Sequence, residues 1–249
     1  MPDLNWNIDT WNSTYDWSQY GEEWSYEWGS SISQWFSSIY PRIHNFLGSD
    51  KMVVEIAPGF GRWTKFLLSY CQDYRGFDIS EQCIKFCQEN FSQVKYAQFY
   101  LNDGTSLKPI PDNHCDFVFS FDSLVHVEID IISKYIEEIL RIINSNGVAF
   151  IHHSNWKETE KDYQNTHNRG KSVSAQEVRS IIEKSGGQVI IQEKINWGSS
   201  ECIDCLTLFR KNLSPDLGNT IVLENPHFME EAKLIRSFHE PYNRVQQSR

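Results

Sequence analysis

Basic residues are the scarcer charge in this 249-residue chain: 23 Lys and Arg stand against 33 Asp and Glu, a formal net charge of −10. No run of Lys and Arg offsets that balance. A surface that neutralises phosphates needs such clustering, so nucleic acid is excluded as an expected partner. Long apolar runs are missing too, and nothing approaches the roughly 20 residues that span a bilayer. The first residues lack the basic, apolar and small-residue succession of an export signal. No membrane association and a cytoplasmic location are the expectation. Cysteine is limited to six positions, Cys71, Cys83, Cys87, Cys115, Cys202 and Cys205. Cys83 and Cys87 share a helix face, whereas Cys202 and Cys205 fall on opposite sides of an expected strand. That placement favours reduced, buried thiols over a zinc site. What is present, 40% hydrophobic residues, is enough to bury the core of one sizeable domain with additions.

The most informative stretch is M-V-V-E-I-A-P-G-F-G-R-W-T, Met52 to Thr64. An apolar β-rich run turns through Pro58, Gly59 and Gly61 into a segment with helical apolar spacing. Glycine has no Cβ and adopts positive φ, so such a turn lets backbone N–H groups at a helix start approach a ligand. Short G-x-G segments also occur in ordinary turns, and the later acidic positions decide between the two. Y-R-G-F-D-I-S ends a second strand at Asp78, where a carboxylate can accept both hydroxyls of a ribose. L-N-D-G puts Asp103 after a third strand, within reach of a base edge. Further strands are expected over 115–121, 148–153, 188–196 and 202–211, with helices over 62–70, from Ser80, over 130–143 and over 174–184. This alternation predicts a parallel sheet with right-handed crossovers and one ligand-bearing carboxyl edge.

The order E-x-x-x-G-x-G, an acid ending strand two, N-D-G, and then P-D-N-H-C-D-F-V-F-S-F-D-S-L resembles the class I S-adenosylmethionine-dependent methyltransferases over about residues 50–210. Nicotinamide dehydrogenases carry a third glycine where this chain has Thr64. The resemblance implies an α/β fold, a Rossmann-like seven-stranded mostly parallel sheet with helices on both faces. It also implies an S-adenosyl-L-methionine site. Glu55 would orient the glycine loop and the cofactor's amino group, and Gly59 and Gly61 would admit the methionine part. Asp78 would bind the ribose and Asp103 the adenine amino group, with Ile79, Gly104 and Phe121 beside them.

Residues 1–47 interleave Trp6, Trp11, Trp17, Trp24, Trp28 and Trp35 with tyrosines and polar residues, and a helix is expected over 31–46. These rings can cover the sheet or form a lid over an acceptor pocket. Aromatic faces stack on sugars while their N–H and O–H groups bond hydroxyls, so the arm suits a carbohydrate-like acceptor. Strands four and five deliver Asp122, His126, His152 and His153 to the carboxyl edge as the candidate catalytic cluster. Two routes for activating a hydroxyl stay open. An imidazole acts as general base with Asp122 orienting it, or a divalent metal ion held by Asp122, His152 and His153 binds the acceptor oxygen. Successive strand residues alternate, so His152 and His153 are expected to face opposite ways unless the strand has ended.

Three regions are therefore expected: an aromatic arm over 1–47, a cofactor-binding methyltransferase domain over 48–211, and an extension over 212–249 with Pro215, Pro226 and Pro241 and a short helix near 230–238. The extension is expected to form an appended edge or a subunit contact, as in a homo-oligomer. The polar stretch 156–171, with His167 and Arg169, is expected as a loop near the site. The leading functional expectation is O-methylation of a sugar or nucleotide-linked sugar. Methylation at nitrogen or oxygen of another small metabolite, and a glycan-binding protein with a vestigial cofactor pocket, stay open beside it.

Overall fold

The computed structural model describes residues 3–159, 168–212 and 219–247, with side chains as far as Tyr242. The arm folds as a chain of short helical pieces. Asp3 caps α1 (Leu4–Asp9) by accepting from the Trp6 N–H, and 3-10 turns follow as far as Trp28. The helix expected over 31–46 is one path broken in the middle: α2 (Ser31–Gln34), a π-helical turn Trp35–Ile39, then α3 (Tyr40–Ile43) and a 3-10 turn His44–Phe46. Pro41 supplies the reason. It lacks an N–H and its ring crowds the carbonyl four residues back, and a wider turn relieves both.

β1 (Met52–Ile56) is buried at all five positions, as a central parallel strand requires. α4 (Thr64–Leu67), β2 (Asp73–Asp78), α5 (Glu81–Asn90) and β3 (Ala97–Leu101) follow, with Ser80 capping α5 through the Cys83 N–H. β4 (Cys115–Ser120) leads to α6 (Ile129–Ile142), whose apolar stripe Ile132, Ile136 and Ile139 is fully buried. β5 (Ile143–Ser154) starts earlier than expected, and the N-S-N-G segment is absorbed as a register shift between β4 and β5. After α7 (Trp156–Thr159), α8 (Ala175–Lys184) is capped at Ser174. The hairpin β6 (Gly187–Trp197) and β7 (Ser200–Lys211) runs antiparallel, as expected.

The strand order is β3-β2-β1-β4-β5-β7-β6-β8. The eighth strand corrects the expected seven: β8 (Ile221–Asn225), from the C-terminal segment, pairs parallel with β6. α9 (Phe228–Gln247) then returns over the sheet and is far longer than the helix expected near 230–238. One face of the sheet is covered by the second half of the arm, α5 and the start of α9, through Trp28, Trp35, Ile39, Cys87 and Phe228. α6 and α8 cover the other through Ile136, Val178 and Ile182. Cys71, Cys83, Cys87, Cys115 and Cys205 are free and buried. Among the described residues no helix is long and apolar enough to cross a membrane.

Candidate functional site

A cleft of about 890 Å3, its mouth included, opens where β1, β2 and β4 end. Its floor is built from three strand ends tied together. The Ala57 N–H donates to the Phe77 carbonyl, the Ser120 hydroxyl to the Ile56 carbonyl and the Ser123 hydroxyl to the Ala57 carbonyl. Its other wall is the arm: Leu4, Asn7, Trp11, Trp17, Tyr20 and Trp24 line the same cleft as Gly59, Asp78, Ile79, Gly104, Phe121 and Asp122.

Asp78 is 4% exposed. Its Oδ2 accepts from the Gly59 N–H at 3.0 Å and its Oδ1 from the Ser80 N–H at 2.9 Å. Burial pushes its pKa up to about 6, and the bonds from Ser80, Gly59 and Ile79 oppose that rise. A carboxylate has about four lone-pair sites, so acceptor capacity remains on Asp78 for a ribose hydroxyl. The two glycines on the cleft have backbones that a side chain would obstruct. Gly59 (φ 57°) passes so close to the arm that a Cβ would lie 2.9 Å from the Trp17 ring, and a Cβ on Gly104 (φ 77°) would lie 2.4 Å from Leu4.

Other expected cofactor contacts sit differently. Gly61 turns toward Phe91 and is not part of the cleft wall. Glu55 lies beneath the loop, 1% exposed, accepting from the Thr64 hydroxyl at 2.7 Å and from the Tyr74 hydroxyl. Its pKa rises to about 7 through burial, against those two hydrogen bonds. Glu55 therefore braces the start of α4 from below and does not reach toward a ligand. The Asp103 carboxylate is half exposed and closes its own turn, accepting from the N–H groups of Thr105 (2.9 Å) and Ser106 (2.8 Å). Its neighbour Gly104 faces the cleft in its place.

Of the four candidate catalytic residues, Asp122 alone lines the cleft. Its backbone is left-handed at φ 64°, unusual for a residue with a side chain. Arg62, 5% exposed, donates to its Oδ2 at 2.8 Å and to the Ser25 hydroxyl at 3.2 Å, and lies over the rings of Trp24 and Trp63. His126 is partly buried beside Trp11, at 5.4 Å between ring centres. Burial, then the Arg169 charge, lowers its pKa to about 4. It is therefore neutral at pH 7, with Nδ1–H donating to the Asn168 carbonyl at 3.2 Å.

β5 runs on to Ser154, so the two consecutive histidines do point to opposite faces. His153 contacts the Thr207 hydroxyl and the Ser154 carbonyl at 2.8 Å each, and burial lowers its pKa to about 4; it is a core histidine and takes no part in the cleft. His152 is fully buried behind Phe121, with Nδ1 accepting the Asp122 N–H at 3.1 Å and Nε2 3.2 Å from Asp204. Asp122, His152 and His153 thus do not converge on a common point. No cluster of three or more His, Cys, Asp or Glu side chains suited to a metal ion occurs among the described residues. That corrects the proposed metal set. His167 lies outside the described residues. Arg62 and Asp204 were missed in the sequence, and Arg169 was named there only as part of a loop, because each lies far along the chain from the group it binds.

A family model described as a methyltransferase domain matches residues 54–151, a span that starts within β1 and takes in the glycine turn, Asp78, Gly104 and Asp122. Solved structures share the fold at low identity. A protein from Pyrococcus horikoshii aligns over 82% of this chain and 96% of its own at 18% identity and a TM-score of 0.57. A SAM-dependent methyltransferase from Aquifex aeolicus aligns over 79% and 98% at 18% identity and 0.54. An S-adenosylmethionine-dependent methyltransferase from Mesorhizobium loti aligns over 74% and 99% at 12% identity and 0.57.

Proposed function

We propose that the chain is a class I S-adenosylmethionine-dependent methyltransferase, a reading that the matched methyltransferase domain and the shared fold support, and that its acceptor is a hydroxyl of a sugar or a nucleotide-linked sugar. The observation that carries this reading is the shared cleft: Trp11, Trp17, Tyr20 and Trp24 of the arm wall the same space as Asp78, Ile79 and Gly104. Indole and phenol rings offer flat apolar faces with a polar edge, which matches the C–H faces and hydroxyl rim of a pyranose.

The cleft's residues fit the cofactor. Asp78 would accept from the ribose, Ile79 and Gly104 would border the base, and Gly59 would lie beside the methionine part. When bound, S-adenosylmethionine supplies a methyl group already activated on a sulfonium, so the protein's tasks are placement and proton removal. A neutral hydroxyl is a weak nucleophile. Asp122 accepts a hydrogen bond from the acceptor O–H and takes its proton as the new carbon–oxygen bond forms. The Arg62 guanidinium fixes one carboxylate oxygen and leaves the other for the acceptor. The rings of the arm exclude water from the same space.

The test is incubation of the purified protein with methyl-labelled S-adenosylmethionine and a panel of nucleotide-activated hexoses and deoxyhexoses, read by product mass. Label on a sugar oxygen in at least one member is expected. Transfer only to a phenol, an amine or a carboxylate acceptor, with every sugar untouched, overturns the choice of acceptor and leaves methyl transfer standing.

A further inference from the structure

Behind the cleft floor runs a buried polar chain that methyl transfer as described above does not use. Arg169 (3% exposed) clamps Asp204 (0% exposed), with Nε 3.1 Å from Oδ1 and a terminal nitrogen 2.7 Å from Oδ2. The Oδ2 of Asp204 lies 3.2 Å from Nε2 of His152, and His152 Nδ1 accepts the backbone N–H of Asp122 at 3.1 Å. Phe121 and Trp197 both pack against the imidazole, at 4.7 and 5.2 Å between ring centres.

The donors fix the tautomer. A backbone N–H can only donate, so Nδ1 must be bare and the imidazole proton must sit on Nε2, close to the Asp204 carboxylate but not aligned with it as a hydrogen bond. Asp204 is kept ionised there. Burial opposes its charge, but Arg169 and then His152 outweigh burial and hold its carboxyl well below the ordinary range. What this arrangement meets is a backbone conformation: Asp122 stands at φ 64°, a region uncommon for residues with a Cβ though more open to Asp than to most. That conformation turns the Asp122 carboxylate into the cleft, where Arg62 meets it.

We propose that His152 is a positioning residue, with Asp204 selecting its tautomer, and that it sets the Asp122 carboxylate against the acceptor. This reverses the usual order of an acid–imidazole pair, because the imidazole here orients the carboxylate and moves no proton. The part of the proposal that concerns turnover rests on the reading of Asp122 as the group that meets the acceptor; the placement of His152 between the Asp122 N–H and Asp204 does not.

Two variants separate positioning from packing. In His152→Asn the amide oxygen takes the place of Nδ1 and keeps an acceptor for the Asp122 N–H. In His152→Gln the amide reaches the place of Nε2, keeps Asp204 company and deserts Asp122. Long-range 1H–15N spectra of the wild-type imidazole should show an unprotonated Nδ1 and a protonated Nε2. S-adenosylhomocysteine should bind both variants within about twofold of wild type, because neither touches Asp78. With the sugar nucleotide that the panel identifies, Asn should keep kcat within about fivefold, whereas Gln should lose about 100-fold in kcat at little change in KM, the scale expected for a displaced reacting group. Equal kcat in the two variants, or a proton on Nδ1, overturns the proposal. The spectra need no acceptor, so a wild-type protein that leaves every sugar unmethylated counts against the acceptor and not against this placement of His152.

Discussion

Three ionisable side chains of the cleft, the pair Arg62 and Asp122 and the single Asp78, stand in nearly dry surroundings, with measurable consequences. Arg62 and Asp122 are 5% and 8% exposed at 2.8 Å separation. Removing one member of such a pair strands the other, so Arg62→Met should cost about 3–5 kcal/mol in denaturant unfolding, several times what an exposed pair contributes. A loss below about 1 kcal/mol would mean that water reaches Asp122 freely. Asp78 has its pKa raised from an ordinary 3.8 to about 6. A raised carboxyl pKa means that the folded state favours the protonated form, so the contribution of Asp78 to stability is present at low pH and is lost as pH rises through about 6. Ligand binding has the opposite sign, since the ionised form is the better acceptor for ribose hydroxyls. S-adenosylhomocysteine affinity should therefore be flat above pH 6 and weaken by up to about tenfold per unit below it. In Asp78→Asn that dependence should vanish along with most of the affinity; calorimetry across pH 5–8 decides. Asp78 was legible in the sequence because an acid closing a second parallel strand has one direction to face. Asp103 was not, because a chain reading cannot tell a carboxylate that meets a ligand from one that closes a turn with Thr105 and Ser106. Arg62 was also hidden: its partner stands 60 positions away, and only the folded sheet brings them together.

The arm divides into two elements with different work. Residues up to Trp24 wall the cleft, and Trp28 and Trp35, both 0% exposed, belong to the core on the sheet face. Trp17 stacks on Phe60 of the glycine turn at 4.6 Å and 5°, so the arm seats on the cofactor side of the cleft as well as on the acceptor side. Trp17→Ala should weaken S-adenosylhomocysteine binding and acceptor binding together, by about tenfold each if a few kcal/mol of ring contact is shared between them. Trp35→Ala should leave the affinity per folded molecule unchanged while costing about 3–5 kcal/mol of stability. If Trp17→Ala touched acceptor KM alone, the arm would be an acceptor lid and nothing more. At this scale the sheet was readable, since M-V-V-E-I, C-D-F-V-F-S and the α6 stripe carry their periods in sequence. The arm's partition was not, because its tryptophans have no period that separates those on the cleft from those in the core. The π-helical turn before Pro41 was also missed, although the proline itself was a signal for a break.

Across the molecule, the segment after Lys211 completes a sheet that would otherwise end on β6. β8 pairs with β6 from Ile191↔Ile221 to Ile195↔Asn225, and α9 begins with Phe228, Met229 and Ala232, all at most 4% exposed. Phe228 packs against Trp28 of the arm and Trp197 of β6, at 5.7 and 6.3 Å between ring centres, and Arg42 of α3 lies over it while pairing with Glu193. Arm, sheet and C-terminal helix therefore meet at one ring. Trp197 in turn touches His152 and Phe121, so this junction stands directly behind the cleft floor without lining it. A pairing of this kind has no local sequence period; I-V-L-E-N is too short to declare a strand until β6 is there to receive it. Phe228→Ala should lower the thermal midpoint by about 10 °C, from about 3–5 kcal/mol of lost burial in a chain of this size. Deletion of residues 212–249 should lower it further and bare the β6 edge, so that the shortened protein self-associates on gel filtration. Because Phe228 lies outside the cleft, the folded fraction of Phe228→Ala should still bind S-adenosylhomocysteine as the parent does. A shortened chain that melts at the parent temperature and elutes at its own mass would show that the sheet closes without β8 and α9, and that the junction at Phe228 holds nothing together.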